Sequence, residues 1–171
     1  EGLIIEIRAR MLKPVKGLVG GAFLYKYFPE RQNHSEIDFE LLTNRPDQVQ
    51  TNIYRDEPLG IGHPEFNTVP QFDMTRFNKY RIECLPDRVR WLVNDQLVRE
   101  NTTLVPGEAL TLHLNFYGPE CNWAIACDAG LQPATSPENN ITYVFDIDCV
   151  RVKSNANHEP VSAKRKSKNS K

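Results

Sequence analysis

The chain has 171 residues, 40% of them hydrophobic and 25% charged, which suits one domain with a sizeable core and is too short for two. A formal net charge of −1 excludes a surface built around nucleic acid. No apolar run approaches the length of a membrane span, so neither nucleic acid nor membrane is expected as a partner.

The opening residues, Glu1-Gly2-Leu3-Ile4-Ile5-Glu6, already read as strand. They carry no initiator Met and no charged-then-apolar leader, so the natural N-terminus is expected upstream. Ile5, Ile7, Ala9 and Met11 alternate with Glu6, Arg8 and Arg10, which predicts a half-buried strand over 3–12. After the turn Lys13-Pro14-Val15-Lys16-Gly17, an apolar strand softened by Gly20 and Gly21 is predicted over 18–25. Strands over 35–42 and 48–54 follow, joined by the turn residues Thr43-Asn44-Arg45-Pro46-Asp47. Residues 55–72 carry Pro58, Gly60, Gly62, Pro64 and Pro70 and are expected to form a long loop. A meander is predicted over 79–84, 88–93 and 96–100, turning at Pro86-Asp87 and Asn94-Asp95. Strands over 109–117 and 141–152 complete the set, with an irregular stretch over 118–140.

No segment carries a 3.6-residue apolar stripe. Many short strands with Pro/Gly-rich turns predict an all-β sandwich or jelly roll, with one domain over 1–153. Beyond it the sequence turns polar and ends Ala163-Lys164-Arg165-Lys166-Ser167-Lys168-Asn169-Ser170-Lys171, so residues 154–171 are expected to be a disordered basic tail.

Cys84, Cys121, Cys127 and Cys149 allow three pairings, and the sequence does not choose among them. Cys121 and Cys127 could close a small loop around Trp123; buried free thiols are the alternative. No Cys-x-x-Cys spacing and no His cluster suggests a zinc site. The N-x-S/T triplets at Asn33, Asn101 and Asn140 matter only in a eukaryotic secretory setting.

The chemistry concentrates in Glu36-Ile37-Asp38-Phe39-Glu40. In a strand, residues i, i+2 and i+4 share a face, so three carboxyl groups stand in a row while Ile37 and Phe39 enter the core. Like charges this close raise at least one pKa. A retaining glycosidase needs such an arrangement: one ionised carboxylate to attack the sugar carbon and one protonated acid to release the leaving group. The Cα atoms of Glu36 and Glu40 lie roughly 13 Å apart in an extended strand. Two Glu side chains leaning together on a concave face can reach the ~5–5.5 Å carboxyl separation that retention requires. The alternative is the solvated face of an ordinary amphipathic strand.

The surrounding blocks resemble glycoside hydrolase family 16. They are Gly21-Ala22-Phe23-Leu24-Tyr25, His34-Ser35-Glu36-Ile37-Asp38-Phe39-Glu40-Leu41 and Gln50-Thr51-Asn52-Ile53-Tyr54, then Phe77-Asn78-Lys79-Tyr80-Arg81-Ile82-Glu83 and Val89-Arg90-Trp91-Leu92-Val93-Asn94-Asp95. Leu114-Asn115-Phe116-Tyr117, Asn122-Trp123-Ala124 and Phe145-Asp146-Ile147-Asp148-Cys149-Val150-Arg151-Val152 follow in the family's order. The resemblance implies a jelly roll of the concanavalin A-like type with a cleft across its concave sheet. It also implies Glu36 as nucleophile, Asp38 as the residue that tunes it, and Glu40 as general acid/base. The single residue between Asp38 and Glu40 is similar to the bulge-free motif of licheninases and xyloglucan-active relatives. Mixed-linkage β-1,3-1,4-glucan is therefore the expected substrate, with β-1,3-glucan next.

Asn52, Tyr54, Asn115, Tyr117 and Trp123 are candidate sugar contacts, since aromatic platforms and amides suit glucan chains; Tyr80 and Trp91 are expected in the core. His34 and His63 are read as solvent-exposed loop residues, with a place at the cleft edge as the alternative. Asn78 and Cys84 depart from the His and Trp that the family often carries there. No cofactor is expected to be required. Asp148 matches a position implied to bind a structural calcium, but a plain surface Asp is the stronger reading. A secreted, monomeric enzyme acting on polysaccharide follows from the resemblance, with the family's early strands upstream of Leu3. A transglycosylase and a non-catalytic lectin-like module are the alternatives.

Overall fold

The computed structural model describes residues 2–155. Ten strands follow in order: β1 Gly2–Leu12, β2 Val19–Phe28, β3 Asn33–Leu42, β4 Gln48–Pro58, β5 Glu65–Thr68, β6 Asn78–Cys84, β7 Val89–Val93, β8 Gln96–Asn101, β9 Thr111–Tyr117 and β10 Val144–Asn155. They form two five-stranded antiparallel sheets, β5-β4-β3-β2-β9 and β10-β1-β6-β7-β8. The one helical element among the described residues is a 3-10 turn, Pro137–Asn139. No helix there is long and apolar enough to cross a membrane. The expected all-β jelly roll is the fold.

Alternation builds the sandwich. Ile5, Ile7, Ala9 and Met11 of β1 are buried together with Ile37, Phe39 and Leu41 of β3, Ile53 of β4 and Ile82 of β6. Trp91 of β7 is fully buried among them, and its indole N–H donates across the core to the Asp38 backbone carbonyl at 2.9 Å. One side chain thus fills core volume and fixes the central strand of the first sheet to the second. Truncating such a buried aromatic costs about 3–5 kcal/mol. The β7–β8 hairpin turns on Asn94 and Asp95, both at positive φ (50° and 67°), the geometry Asn and Asp tolerate best in a tight hairpin.

Three expectations need correction. The long loop over 55–72 contains β5, an edge strand four residues long, too short for alternation to stand out among flanking Pro and Gly. β4 continues to Pro58, well past Tyr54. The last strand begins at Val144 rather than residue 141, because its partner β1 ends at Leu12, opposite Val144. Ile141 is left exposed. The same strand runs to Asn155, past its expected end at 152; the basic sequence beyond it lies outside the described residues.

Candidate active site

β3 is the middle strand of its sheet, and its alternation sends Glu36, Asp38 and Glu40 to one face while Ile37 and Phe39 are buried on the other. Register with β2 and β4 is continuous from 36 to 40, with no bulge between the acids. Tyr25 and Tyr54 flank Glu36, Phe23 and Asn52 flank Asp38, and Gly21 and Gln50 flank Glu40. The acids line a cavity of about 750 Å³, walled by Gly60, Gly62 and Pro64 on one side and by Asn122, Trp123 and Ile125 on the other.

Each acid has a different surrounding. The Glu40 Oε2 accepts from Gln50 Nε2 at 2.9 Å, and the Tyr117 hydroxyl stands 3.4 Å from Oε1. Gly21, directly opposite Glu40, makes room for Asn115 on β9: a Cβ at Gly21 would overlap the Asn115 amide. The buried Asn115 Oδ1 has no hydrogen-bond partner, and neither has Asp38 Oδ1. Buried polar atoms are ordinarily satisfied, so both mark places where another polar group fits.

Asn52 orders the adjacent wall. Its Oδ1 accepts from the backbone N–H groups of Ile53 (2.9 Å) and His63 (2.7 Å), and its Nδ2 lies 3.3 Å from the Tyr54 hydroxyl. Gly62 is required where the loop passes over Tyr54, since a Cβ there would meet the phenol oxygen. On the opposite wall the Cys121–Cys127 disulfide closes the loop carrying Trp123. Asn44 ties that loop down by donating to the carbonyls of Ile125 (3.1 Å) and Cys127 (2.9 Å) while accepting from Gly17 N–H (2.8 Å). Cys84 and Cys149 remain unpaired, and burial pushes the Cys84 thiol up to about 12.

Burial and crowding raise all three acids. Glu36 is pushed up to about 7, first by burial and then by the charge of Glu40. Glu40 is also raised to about 7 by burial, with the Tyr117 hydrogen bond opposing. Asp38, 3% exposed, is raised well above the carboxylate range by burial and by both glutamates. Arg99 and a backbone hydrogen bond at Asn52 pull the other way. Full ionisation of the row near neutral pH is therefore unfavourable. The Tyr54 and Tyr117 phenols are raised as well, first by burial, and stay neutral.

The structure thus brings Glu36, Asp38, Glu40, Asn52, Tyr54, Asn115, Tyr117 and Trp123 to one side of one sheet and its flanking loops. Tyr80 and Trp91 lie in the core. Four further residues belong to the site's support. Gln50 shares the alternation of Asn52 and Tyr54 and could have been found from it. Asn44 sits among turn residues and gives no such signal. Arg99, 6% exposed on β8, reaches Thr51 O at 3.1 Å and Glu65 at 3.2 Å from the core side. His34 is no exposed loop residue: it lies on β3, 2% exposed, with Nε2 3.4 Å from Glu36 Oε2. His63 is a loop residue, its ring 2.9 Å from Glu57.

The surroundings of Asp148 do not fit a cation. Its half-exposed carboxylate is held by Arg8 at 2.7 Å, and no group of three His, Cys, Asp or Glu among the described residues could hold a metal ion. Calcium takes six to eight oxygens.

Residues 4–123 match the glycosyl hydrolases family 16. The chain belongs to that family. Among curated family 16 relatives, a β-glucanase of Bacillus amyloliquefaciens is 29% identical over 117 residues, covering 67% of this chain and 46% of the relative. The endo-1,3-1,4-β-glycanase ExoK of Rhizobium meliloti is 32% identical over 107 residues, covering 61% and 39%. The chain therefore spans less than half the length of these relatives. Of solved structures, the Bacillus licheniformis β-glucanase superposes with a TM-score of 0.65 at 21% identity, covering 84% of this chain and 62% of that one. A Crh5 transglycosylase superposes at 0.64 with 22% identity, covering 89% and 63%. At these identities the superpositions establish the shared fold.

Proposed function

We propose that the chain carries the catalytic row of a retaining endo-β-glucanase cutting β-1,3-1,4- or β-1,3-glucan by double displacement, in a secreted enzyme. One observation carries the reading: three carboxyl groups, Asp38 buried and Glu36 and Glu40 half-buried, share the floor of an open cleft on one strand with no bulge between them. Glu36 attacks the anomeric carbon as a carboxylate, and Glu40 donates a proton to the departing glycosidic oxygen. Oε2 of Glu40 accepts from Gln50 and Oε1 from the Tyr117 hydroxyl, so the carboxyl group is held in place as it gives up and regains its proton. After departure of the leaving group the Glu40 carboxylate takes a proton from water, which opens the glycosyl ester on Glu36.

Asp38 has its own part. It is the most deeply buried of the three, and as a protonated acid it offers a hydrogen bond to a neighbouring carboxylate without adding a third charge. Asn52, Tyr54, Asn115, Tyr117 and Trp123 supply amide contacts and ring faces to the sugar chain.

The names of the curated relatives support a β-glucan substrate. Incubating the protein with lichenan, laminarin and xyloglucan side by side, and sizing the products, tests the reading. Short oligosaccharides from lichenan or laminarin are expected. Products longer than the starting chains would indicate transfer to a sugar instead of water, and binding without cleavage would indicate a lectin-like module.

A further inference from the structure

His34 occupies a position the double-displacement scheme leaves unexplained. It lies on the acid face of β3, two residues before Glu36, buried between the rings of Tyr54 (4.2 Å between centroids) and Tyr25 (5.6 Å). Its Nδ1 is 3.0 Å from the backbone carbonyl of Glu57. A carbonyl only accepts, so Nδ1 carries the proton and the neutral ring turns the lone pair of Nε2 toward Glu36 Oε2, 3.4 Å away.

The backbone is arranged for this contact. Register between β3 and β4 slips between His34 and Glu36, where Ser35 stands opposite the extra residues of β4. Asp56 adopts positive φ (52°) and donates its N–H to Ser35 Oγ at 2.9 Å. This bulge brings Glu57 opposite His34, as bulges beside functional sites re-aim neighbouring groups.

A lone pair on Nε2 facing an ionised carboxylate is repulsive, and a single proton between them removes the repulsion. We propose that His34 is a positioning residue that shares one proton with Glu36, so that Glu36 can react as a carboxylate beside an imidazolium. The proposal rests on the reading of Glu36 as nucleophile. The proton moves from the Glu36 carboxyl oxygen to Nε2 before attack, and returns when the free carboxyl is regenerated.

The other groups facing the pair are Tyr25 and Tyr27 on β2, Tyr54 and Glu57 on β4, and Asp38 and Glu40 on β3 itself. The Tyr25 and Tyr54 phenols are raised by burial and stay neutral. The Glu57 carboxylate is held by His63 (2.9 Å) and by the Arg55 N–H (3.1 Å). Burial holds the His34 ring low, opposed by Glu57, while Glu36 Oε2 stands 3.4 Å from Nε2.

Two measurements test the pair. Nitrogen-15 NMR of the His34 ring needs no turnover: Glu36→Gln should lower its titration midpoint by about one pH unit or more, and an unchanged midpoint overturns the proposal. In His34→Gln, which keeps a polar side chain but cannot take a proton, the acid limb of kcat/KM should move up by about one pH unit while the alkaline limb, set by Glu40, stays in place. A uniform loss at every pH is the mark of a merely structural histidine and also overturns it. A shifted NMR midpoint in a protein whose Glu36→Ala variant still hydrolyses glucan would leave the pair standing and remove the nucleophile reading beneath it.

Discussion

The two sheets carry the same kind of alternating acid and treat it in opposite ways. On the outer face of the β1 sheet the acids find opposite charges. Glu6 pairs with Arg81 and Arg151, Asp146 with Arg10, Asp148 with Arg8, and Glu100 with Arg88 and Arg90. Asp95 and Glu100 are held below the usual carboxylate range by their Lys and Arg partners. On the cleft face of β3, no Lys or Arg among the described residues forms an ion pair with Glu36, Asp38 or Glu40, and all three are pushed up. Arg99 acts on Asp38 only from the core side. Acids kept partly or wholly buried without a cation are costly to fold, and the cost is understandable where protons must move near neutral pH.

Substitutions should separate the two faces sharply. Glu36→Ala should lower kcat/KM on glucan on the order of 10³-fold or more, since no glycosyl ester can form. Glu40→Ala should lose about 10²–10⁴-fold on the polysaccharide while largely sparing aryl glycosides whose leaving group needs little protonation. Equal losses on both substrates would remove the acid role from Glu40.

Stability should move the other way. Glu36 binds its proton more tightly folded than unfolded. Its contribution is therefore present below its ordinary range and lost as pH rises from there through about 7. Glu36→Gln should consequently raise stability at pH 8 on the order of 1–3 kcal/mol and change little at pH 4, as read by urea denaturation at both pH values. The paired acids of the outer face carry the opposite sign: Asp95 and Glu100 contribute stability above their ordinary range and lose it as pH falls.

The smallest effect belongs to the outer face itself. Asp148→Ala breaks an exposed pair with Arg8 and should cost less than about 1 kcal/mol, with hydrolysis unchanged and no dependence on added calcium. A calcium-dependent melting temperature in the parent that disappears in the variant would restore the metal reading.

How much of this could be read beforehand follows from the range of each interaction. The acid row, the burial of Ile37 and Phe39, and the β7–β8 turn are local, set by period-two alternation and turn chemistry. Gln50 was legible by the same alternation. His34 was not, because its role depends on a bulge at Asp56 in the neighbouring strand. Asn44 and Arg99 act on partners about 80 and 48 residues away, and the Arg8 that claims Asp148 lies 140 residues from it. Such pairings exist only once strand order is fixed. β5 escaped because four residues on a sheet edge carry too little pattern.

The roles on β3 are tested most directly by adding azide to the two alanine variants with an activated aryl β-glucoside and determining the anomeric configuration of the glycosyl azide by NMR. With Glu36→Ala, azide takes the place of the missing nucleophile and the α-azide is expected. With Glu40→Ala, azide attacks the glycosyl-enzyme and the β-azide is expected. The reverse pattern, β-azide from the Glu36 variant and α-azide from the Glu40 variant, would contradict the assignment of nucleophile and acid/base.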